Sequence, residues 1–379
     1  MEPLISYEVL KLIWWGLIGV LLVGFAIFDG YDLGSAGLLT YIGKTDTERR
    51  VIINAVAPHW DGNQVWLITA GGAIFAAWPM VYATAFSGFY WAMLLVLFAL
   101  IFRPVSFEYR AKVEPQHQKL MDIALVISGV VPALLFGVAF GNLFLGYGFT
   151  LDQFLRSTFQ ENFFDLLHPF ALLCGVVSLS MILMQGANWL NLRTDGIVRE
   201  RAVEISRYLS IAVLVSFALA GLWITFMPGY VVTEIDPAGI ANPLDKTVVY
   251  GERGAWLNNY FIYPLMMLAP LFGFAGAAGS LLLARKMPTI GFICSSLANA
   301  GIILTAGFSL FPFIMPSSSD PGMSMTMWDA TSSPLTLGIM TFVAALFVPI
   351  VLSYTMWCFY KMWGRVDEKH IETNTHSLY

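Results

Sequence analysis

The sequence predicts an all-α membrane protein, a single polytopic transmembrane domain over residues 1–379 with nine transmembrane helices. Three observations lead to this fold class. Hydrophobic residues make up 58% of the chain and charged residues only 12%, whereas a soluble protein carries about 25% charged residues. The apolar runs are continuous, without the period-two alternation of an outer-membrane barrel. Lysine and arginine are concentrated in alternate loops, which places the amino terminus outside and the carboxyl terminus in the cytoplasm.

Nine apolar runs account for the predicted helices, since a bilayer crossing takes about 20 helical residues. Eight of the runs are long enough as they stand. The second reaches that length only together with the polar segment before it. The predicted limits are 10–31, 52–78, 81–102, 122–146, 164–186, 208–227, 258–284, 289–313 and 335–360.

The distribution of lysine and arginine orients these helices. With the amino terminus outside, 16 of the 20 Lys and Arg residues fall in cytoplasmic segments, and without the second span the split is 14 to 6. Because positive residues are retained on the cytoplasmic side, nine spans are favoured. Two outer loops, 228–257 and 315–334, are long enough to fold locally. The second ends in Ser333-Pro334, which is typical of a helix N-cap followed by proline at the first helical position.

Composition and motifs exclude several function classes. An isoelectric point near 5.5 without a basic stripe argues against nucleic-acid binding. The three cysteines lie in apolar runs without zinc spacing, so we predict buried thiols. No nucleotide loop, triad spacing or cluster of metal ligands is apparent. We therefore predict neither a catalytic residue nor a metal site in this chain.

The most informative segment is 59–64, His-Trp-Asp-Gly-Asn-Gln, inside the second predicted span. The apolar run after it, 65–78, is too short to cross alone. The helix is therefore expected to begin near Val51 and to carry Asp61 about 15 Å along its length, near mid-membrane. A charge there costs about 2.5–3.5 kcal/mol and usually faces a protein interior or a water path. The alternatives are a proton pathway and a structural polar cluster. The candidate residues are His59, Asp61, Asn63 and Gln64.

Two more acids lie at the cytoplasmic end of the first span. Asp29 and Asp32 are three residues apart and share a helix face. They either mark the end of the span or form a proton-collecting mouth, and an acid at a helix carboxyl end opposes the helix dipole. Arg103 closes the third span. It either extends to the lipid headgroups or pairs with a buried acid or a propionate.

The positions of the five histidines indicate whether this chain could ligate a heme. Only His59 and His168 lie in or beside a span, and a heme needs axial side chains aimed into a pocket. We expect this chain itself not to ligate heme.

Several motifs make the chain resemble subunit II of the bacterial cytochrome bd quinol oxidases. The resemblance runs from end to end of the chain, and the stretch 57–79 is its most specific part. The motifs are Trp14-Trp15, Asp29-Gly-Tyr-Asp-Leu-Gly34, residues 57–79, residues 311–318, residues 327–333 and the tail 374–379.

The resemblance implies an activity and its partners. Such enzymes oxidise quinol and reduce dioxygen to water at the bacterial inner membrane, consuming cytoplasmic protons and so generating a proton-motive force. Hemes b558, b595 and d are held by subunit I, the expected partner. Small accessory membrane subunits and a structural quinone in this chain are further implications, and membrane lipid surrounds the complex.

The resemblance also implies roles for particular residues. The acids of the first-helix motif match Asp29 and Asp32, and the membrane acid of the second helix matches Asp61, all on a proton route toward subunit I. Two alternatives stay open: a purely structural or assembly scaffold subunit, and a proton-coupled secondary transporter that uses Asp61. A transporter of this kind often shows inverted repeats, and none is detectable.

Overall fold

The computed structural model describes residues 5–368 and Ile371, so the tail motif 374–379 lies outside the described residues. Thirteen helices and three hairpins make up the described part. Short 3-10 helices cover Phe163–Leu167, Ala255–Leu257, Pro264–Met267 and Pro321–Met323. The helices are α1 (Tyr7–Gly37), α2 (Leu39–Ile42), α3 (Asp46–Val56), α4 (Trp60–Ala77), α5 (Pro79–Gly88), α6 (Tyr90–Tyr109), α7 (Pro115–Leu145), α8 (Pro169–Arg193), α9 (Gly196–Phe226), α10 (Asn258–Ile262), α11 (Leu268–Leu283), α12 (Pro288–Leu310) and α13 (Pro334–Lys361). The strands are β1 (Phe149–Leu151), β2 (Ser157–Phe159), β3 (Pro228–Glu234), β4 (Thr247–Arg253), β5 (Phe313–Met315) and β6 (Met325–Thr326).

Eight helical segments are long and apolar enough to cross a membrane, which agrees with an all-α membrane protein. They are α1, α6, α7, α8, α9, the segment Pro264–Leu283, α12 and α13. Helix α4 adds 18 residues, about 27 Å at 1.5 Å per residue, but its first turn is polar.

The second predicted span is not one continuous helix, and that expectation is wrong. Helix α3 begins with a capping box between Thr45 and Glu48 and ends at Val56, and α4 starts at Trp60. Pro58 lies in the turn between them; its ring and missing N–H oppose continuation of a helix. Asp61 therefore lies in the first turn of α4 rather than ten residues along a helix from Val51. The third and seventh predicted spans are also divided, into α5 and α6 and into α10 and α11.

Close packing of small residues positions α1 against α8. A Cβ atom on Gly34 would lie 2.2 Å from the carbonyl oxygen of Ile182, and one on Gly186 would lie 2.3 Å from the carbonyl carbon of Gly34. Neither position accepts a side chain, so the two backbones meet directly, as small residues allow in membrane helices. This contact buries the part of α1 that follows Asp29.

The loops that follow α7, α9 and α12 contain structure that the sequence did not predict. Strands pair as three antiparallel hairpins, β1 with β2, β3 with β4 and β5 with β6. The predicted start of the last helix is confirmed: the Ser333 hydroxyl accepts a hydrogen bond from the backbone N–H of Thr336 at 3.2 Å, and Pro334 takes the first helical position.

A buried ion pair ties two of these loops together. Lys246 Nζ lies 3.1 Å from Asp329 Oδ2, and their side chains are 0% and 5% exposed. Asp329 also accepts a hydrogen bond from the backbone N–H of Thr326 at 2.9 Å. Burial raises the pKa of Asp329 and lowers the pKa of Lys246, and the pairing opposes both shifts. Each side chain therefore needs the opposite charge of the other to remain ionised in this buried position.

Replacing Asp329 by Asn is expected to lower the free energy of unfolding by about 3 kcal/mol, because it leaves the Lys246 charge buried without a counter-ion. Thermal unfolding of the purified protein measures the change. Asp245→Asn, an exposed acid in the neighbouring loop, is the control. Equal transition temperatures for the two variants would contradict the expectation.

Candidate functional site

The candidate site is built around two carboxyl groups that α1 holds inside the bundle. Asp29 and Asp32 are both 0% exposed. Their three-residue spacing places them on one helix face, as predicted from the sequence. They do not face solvent at the end of a helix, because α1 continues to Gly37 and packs against α8 there.

Arg103 pairs with the first of these acids. Its Nη1 atom lies 2.5 Å from Asp29 Oδ1, and both side chains are fully buried. Of the two alternatives for Arg103, the structure therefore favours pairing with a buried acid over extension to the headgroups. Asp29 Oδ2 and Arg103 Nε and Nη2 have no protein partner within the described residues. One acceptor atom of Asp29 and two donor groups of Arg103 are therefore buried and available for further hydrogen bonds.

Asn63 joins the second acid to α4. Its Nδ2 group donates to Asp32 Oδ2 at 2.8 Å and to the Tyr31 hydroxyl at 2.6 Å. Tyr31 is itself fully buried and stacks on Trp189 of α8 with ring centroids 4.0 Å apart. Both amide hydrogens of Asn63 are therefore used, which fixes its side chain between α1 and α4. Asp32 Oδ1 has no partner among the described side chains.

His59 lies in the turn before α4 and is 6% exposed. Its ring stacks on Phe359 of α13 with centroids 4.3 Å apart, and its Nε2 atom is buried without a hydrogen-bond partner in the described part of the chain. The imidazole is thus held by packing and retains one free ring nitrogen. His168, at the other end of the bundle, caps α8 by accepting a hydrogen bond from the backbone N–H of Phe170.

Asp61 does not lie inside this chain. Its side chain is exposed on the surface, and Gln64 is half-buried. Asp61 begins an exposed stripe along α4, at the spacing of one helix face. The other members of the stripe are Val65, Ile68, Gly72 and Phe75. The sequence correctly grouped Asp61 with Asn63 on one segment, but it could not show that Asp61 faces outward while Asn63 faces α1.

Several residues of this region were not singled out from the sequence. Tyr31, Trp189 and Phe359 supply the aromatic walls described above. Arg193, the last residue of α8, is 3% exposed; its Nη2 group donates to the carbonyl of Met362 at 3.1 Å, while Nε and Nη1 have no partner among the described residues. A basic residue at a helix end is common, so the sequence offered no signal that Arg193 is buried.

The ion pair of the site leaves one carboxyl group without a bonded cation. The Arg103 guanidinium contacts Asp29, whereas Asp32 is held by the Asn63 amide. The unpartnered atoms of Asp29, Asp32 and His59 are donors or acceptors that can exchange a proton. Chemically, the arrangement can accept, hold and release a proton at the α1–α4 junction.

An apolar cavity of about 1460 Å³ lies beyond this cluster, between α1, α4, α6, α7, α8 and α12. Its walls are aliphatic and aromatic, with Gly71 and Phe136 among them. No histidine of the described chain lines it. Among the described residues no group of three or more His, Cys, Asp or Glu side chains is placed to hold a metal ion.

Comparison with known proteins gives consistent results. The chain is 53% identical to cytochrome bd-I ubiquinol oxidase subunit 2 of Escherichia coli K12, over 99% of this chain and all of that protein. It is 50% identical to the probable cytochrome oxidase subunit 2 of Haemophilus influenzae, with the same coverage. The Bacillus subtilis cytochrome bd ubiquinol oxidase subunit 2 is 31% identical over 94% of this chain and 97% of its own length.

A solved structure and a family description agree with these relatives. The bd oxidase structure from Geobacillus thermodenitrificans superposes with a TM-score of 0.66 at 14% identity, covering 93% of this chain and 99% of that one, which shows a shared fold. Residues 10–362 match the family described as cytochrome bd terminal oxidase subunit II. With that match over almost the whole chain and relatives at 53% and 50% identity, this chain belongs to the cytochrome bd terminal oxidase subunit II family.

Proposed function

We propose that this chain is subunit II of a quinol:dioxygen oxidoreductase of the bacterial inner membrane, and that it supplies a proton entry route to the heme-bearing subunit I. In such a complex quinol is oxidised, dioxygen is reduced to water and cytoplasmic protons are consumed, which generates a proton-motive force. The observation that carries the proposal is the fully buried Asp29–Arg103 pair beside Asp32, joined by Asn63 to the helix that presents Asp61 on the surface.

The proposed route has an order. Protons enter near Asp29 and Asp32, of which Asp29 pairs with the Arg103 guanidinium. Asn63 holds Asp32 in place by donating a hydrogen bond to it, so a proton can be exchanged at the other carboxyl oxygen. Asp61, two residues before Asn63, then passes the proton across the surface of this chain. His59 and Gln64 lie at the same helix start and offer further side-chain donor and acceptor atoms to the route.

The surface that carries Asp61 is the proposed contact with subunit I. Helix α13 supports this assignment, because only Leu337 is buried along its 28 residues. A helix that is apolar all round and so little covered by its own chain is suited to packing in a membrane against lipid or another subunit. With α13 and the α4 stripe covered by subunit I, the Asp61 carboxyl group would lie at the subunit boundary rather than in solvent.

The orientation and the ninth crossing are part of the proposal. If α4 is counted as a crossing, the amino terminus lies outside and the carboxyl terminus lies in the cytoplasm. The acids of α1 are then on the cytoplasmic side, and all three hairpins are outside. The distribution of 16 against 4 Lys and Arg residues supports this arrangement. Placing Asp29 and Asp32 at the cytoplasmic end is what a route for cytoplasmic protons requires.

The described residues do not fit a heme. His59 is packed flat on Phe359, His168 caps a helix, and neither lines the large cavity. Ligation by histidine needs an imidazole aimed into a pocket wide enough for the porphyrin. The thioethers of Met93, Met181, Met267 and Met315 line the cavity, but no described histidine joins them there. We therefore assign hemes b558, b595 and d to subunit I, and no step of the proposed route passes through a heme.

The apolar cavity fits a structural quinone or another long isoprenoid or acyl chain. Its walls offer aliphatic contacts over a volume of about 1460 Å³, beyond the upper range of ordinary drug-sized pockets. Replacing Gly71 by Phe is expected to reduce the quinone retained by the purified complex several-fold, since a Cβ atom there meets open space within 4 Å and the ring would occupy the cavity. Extraction and chromatography of bound quinone measures the change. Unchanged quinone content would contradict the assignment of this cavity.

The proton route is tested by Asp61→Asn in the assembled enzyme, with turnover, oxygen uptake and heme absorbance measured together. We expect turnover to fall at least about tenfold at unchanged heme content, because an amide cannot carry the proton. Glu114→Gln, an exposed acid in the loop before α7, is the control and should leave turnover unchanged.

The other outcomes of this experiment separate the alternatives. Full turnover with intact hemes would remove Asp61 from the route. Loss of heme absorbance together with turnover would favour the scaffold role for this subunit. A chain that purifies alone, stable and colourless, would favour the secondary transporter.

A further inference from the structure

A groove of about 860 Å³ lies between the start of α9 and the end of α11, apart from the candidate site around Asp29 and Asp32. It opens at the same end of the bundle as the carboxyl end of α1. Its lining contains basic, acidic and apolar side chains. The charged members are Asp195, Arg199, Glu200, Glu204, Arg207 and Arg285.

Two of these charges are already paired. Arg199 donates to Asn191 Oδ1 at 3.2 Å and lies 3.7 Å from Asp195. The remaining four charged side chains have no hydrogen bond or ion pair with any described residue. The groove therefore presents two guanidinium groups and two carboxylates that are free to meet a ligand: Glu200, Glu204, Arg207 and Arg285.

The groove continues into an apolar track. Glu200, Glu204, Arg207 and Ile211 share one face of α9, by their spacing of three and four residues. Exposed aliphatic side chains continue that face for about 17 Å. They are Ile211, Val215, Leu219 and Leu222, which are 46%, 54%, 50% and 57% exposed.

We propose that this groove binds a phospholipid with a phosphoethanolamine headgroup. Arg207 and Arg285 would hold the phosphate, since guanidinium groups match phosphate oxygens well. Glu200 and Glu204 would hold the ammonium group, and an acyl chain would lie along the track on α9. Basic pockets between membrane helices commonly bind lipid headgroups. A headgroup with negative charge alone would meet the two carboxylates, so phosphatidylglycerol is the poorer ligand.

The test uses the purified complex in nanodiscs of equal phosphatidylethanolamine and phosphatidylglycerol, followed by delipidation and mass spectrometry of the retained lipid. We expect the wild type to retain phosphatidylethanolamine in preference. The double variant Arg207→Ala/Arg285→Ala is expected to retain about tenfold less, as removal of charge-assisted hydrogen bonds predicts. Heme content and unfolding temperature should stay unchanged, because these side chains make no hydrogen bond or ion pair with any described residue and are exposed.

Two further variants make the result specific. Glu200→Gln/Glu204→Gln should shift retention toward phosphatidylglycerol, because the ammonium partner is lost and the repulsion of phosphate is removed. Lys286→Ala/Arg156→Ala removes the same charge outside the groove and should behave as wild type. Equal retention in the arginine double variant and the wild type, or equal retention of both lipids by the wild type, would overturn the proposal.

Discussion

Replacing Asp29 by Asn is expected to destabilise the protein by about 3–5 kcal/mol, because it leaves the Arg103 guanidinium fully buried beside a neutral partner. The expectation follows from the 2.5 Å contact and from the 0% exposure of both side chains. Water cannot take over the lost interaction without opening the packing around α1 and α6. Thermal unfolding of the purified complex, followed with heme absorbance, measures the effect.

The double variant Asp29→Asn/Arg103→Gln separates the contribution of the two charges to stability from the contribution of packing. It removes both charges together, so we expect it to be more stable than Asp29→Asn alone. A double variant at least as unstable as the sum of the two single variants would show that the pair contributes through packing rather than through its charges. Lys112→Gln, at an exposed ion pair with Glu108, is the control and should change stability little.

Replacing Asp32 by Asn is expected to reduce quinol oxidase turnover by about a hundredfold, the size typical of removing a proton-transfer group. The amide keeps the shape of the carboxyl group, and its oxygen can still accept the hydrogen bond from Asn63. Stability and heme content should therefore stay close to wild type, in contrast to Asp29→Asn. Steady-state oxygen uptake and optical spectra of the same preparation provide both readouts.

Asp32→Glu is the matched variant for this prediction. It keeps the titratable group and should recover part of the turnover, although the longer side chain is overpacked at a fully buried site. Wild-type turnover in Asp32→Asn would exclude Asp32 from the proton route. Loss of turnover in Asn63→Leu at intact heme content would further support the coupling of α1 to α4.

Much of the fold class could be predicted because it depends on composition and local pattern. Long apolar runs must be helical in a membrane, since every backbone polar group needs a partner within the segment. The start of α13 was predictable for the same local reason, because Ser333 and Pro334 suit the first turn of a helix. The hairpins were not predicted, since the strands of two of them are only two or three residues long and the loop 235–246 between β3 and β4 is much longer than a hairpin turn.

The candidate site shows the limit of that reasoning at particular residues. Asp29 and Asp32 were identified because acids are rare in apolar runs, and Arg103 because a charge follows the third span. Their pairing joins residues 74 positions apart, which no local pattern reveals. The expectation of one continuous helix through Asp61 was wrong because the interruption at Pro58 could not be told from a kink.

The sequence by itself determined that this chain is an all-α membrane protein with carboxyl groups in its apolar segments, because hydropathy and the cost of buried charge are properties of local sequence. Only the tertiary structure decided which of those groups meet. Direct backbone contact at Gly34 and Gly186 seats α1 deep in the bundle, so Asp29 reaches Arg103 and Asp32 reaches Asn63. Asp61 lies two residues before Asn63 in α4, about half a helical turn away, so it faces the opposite side and is exposed.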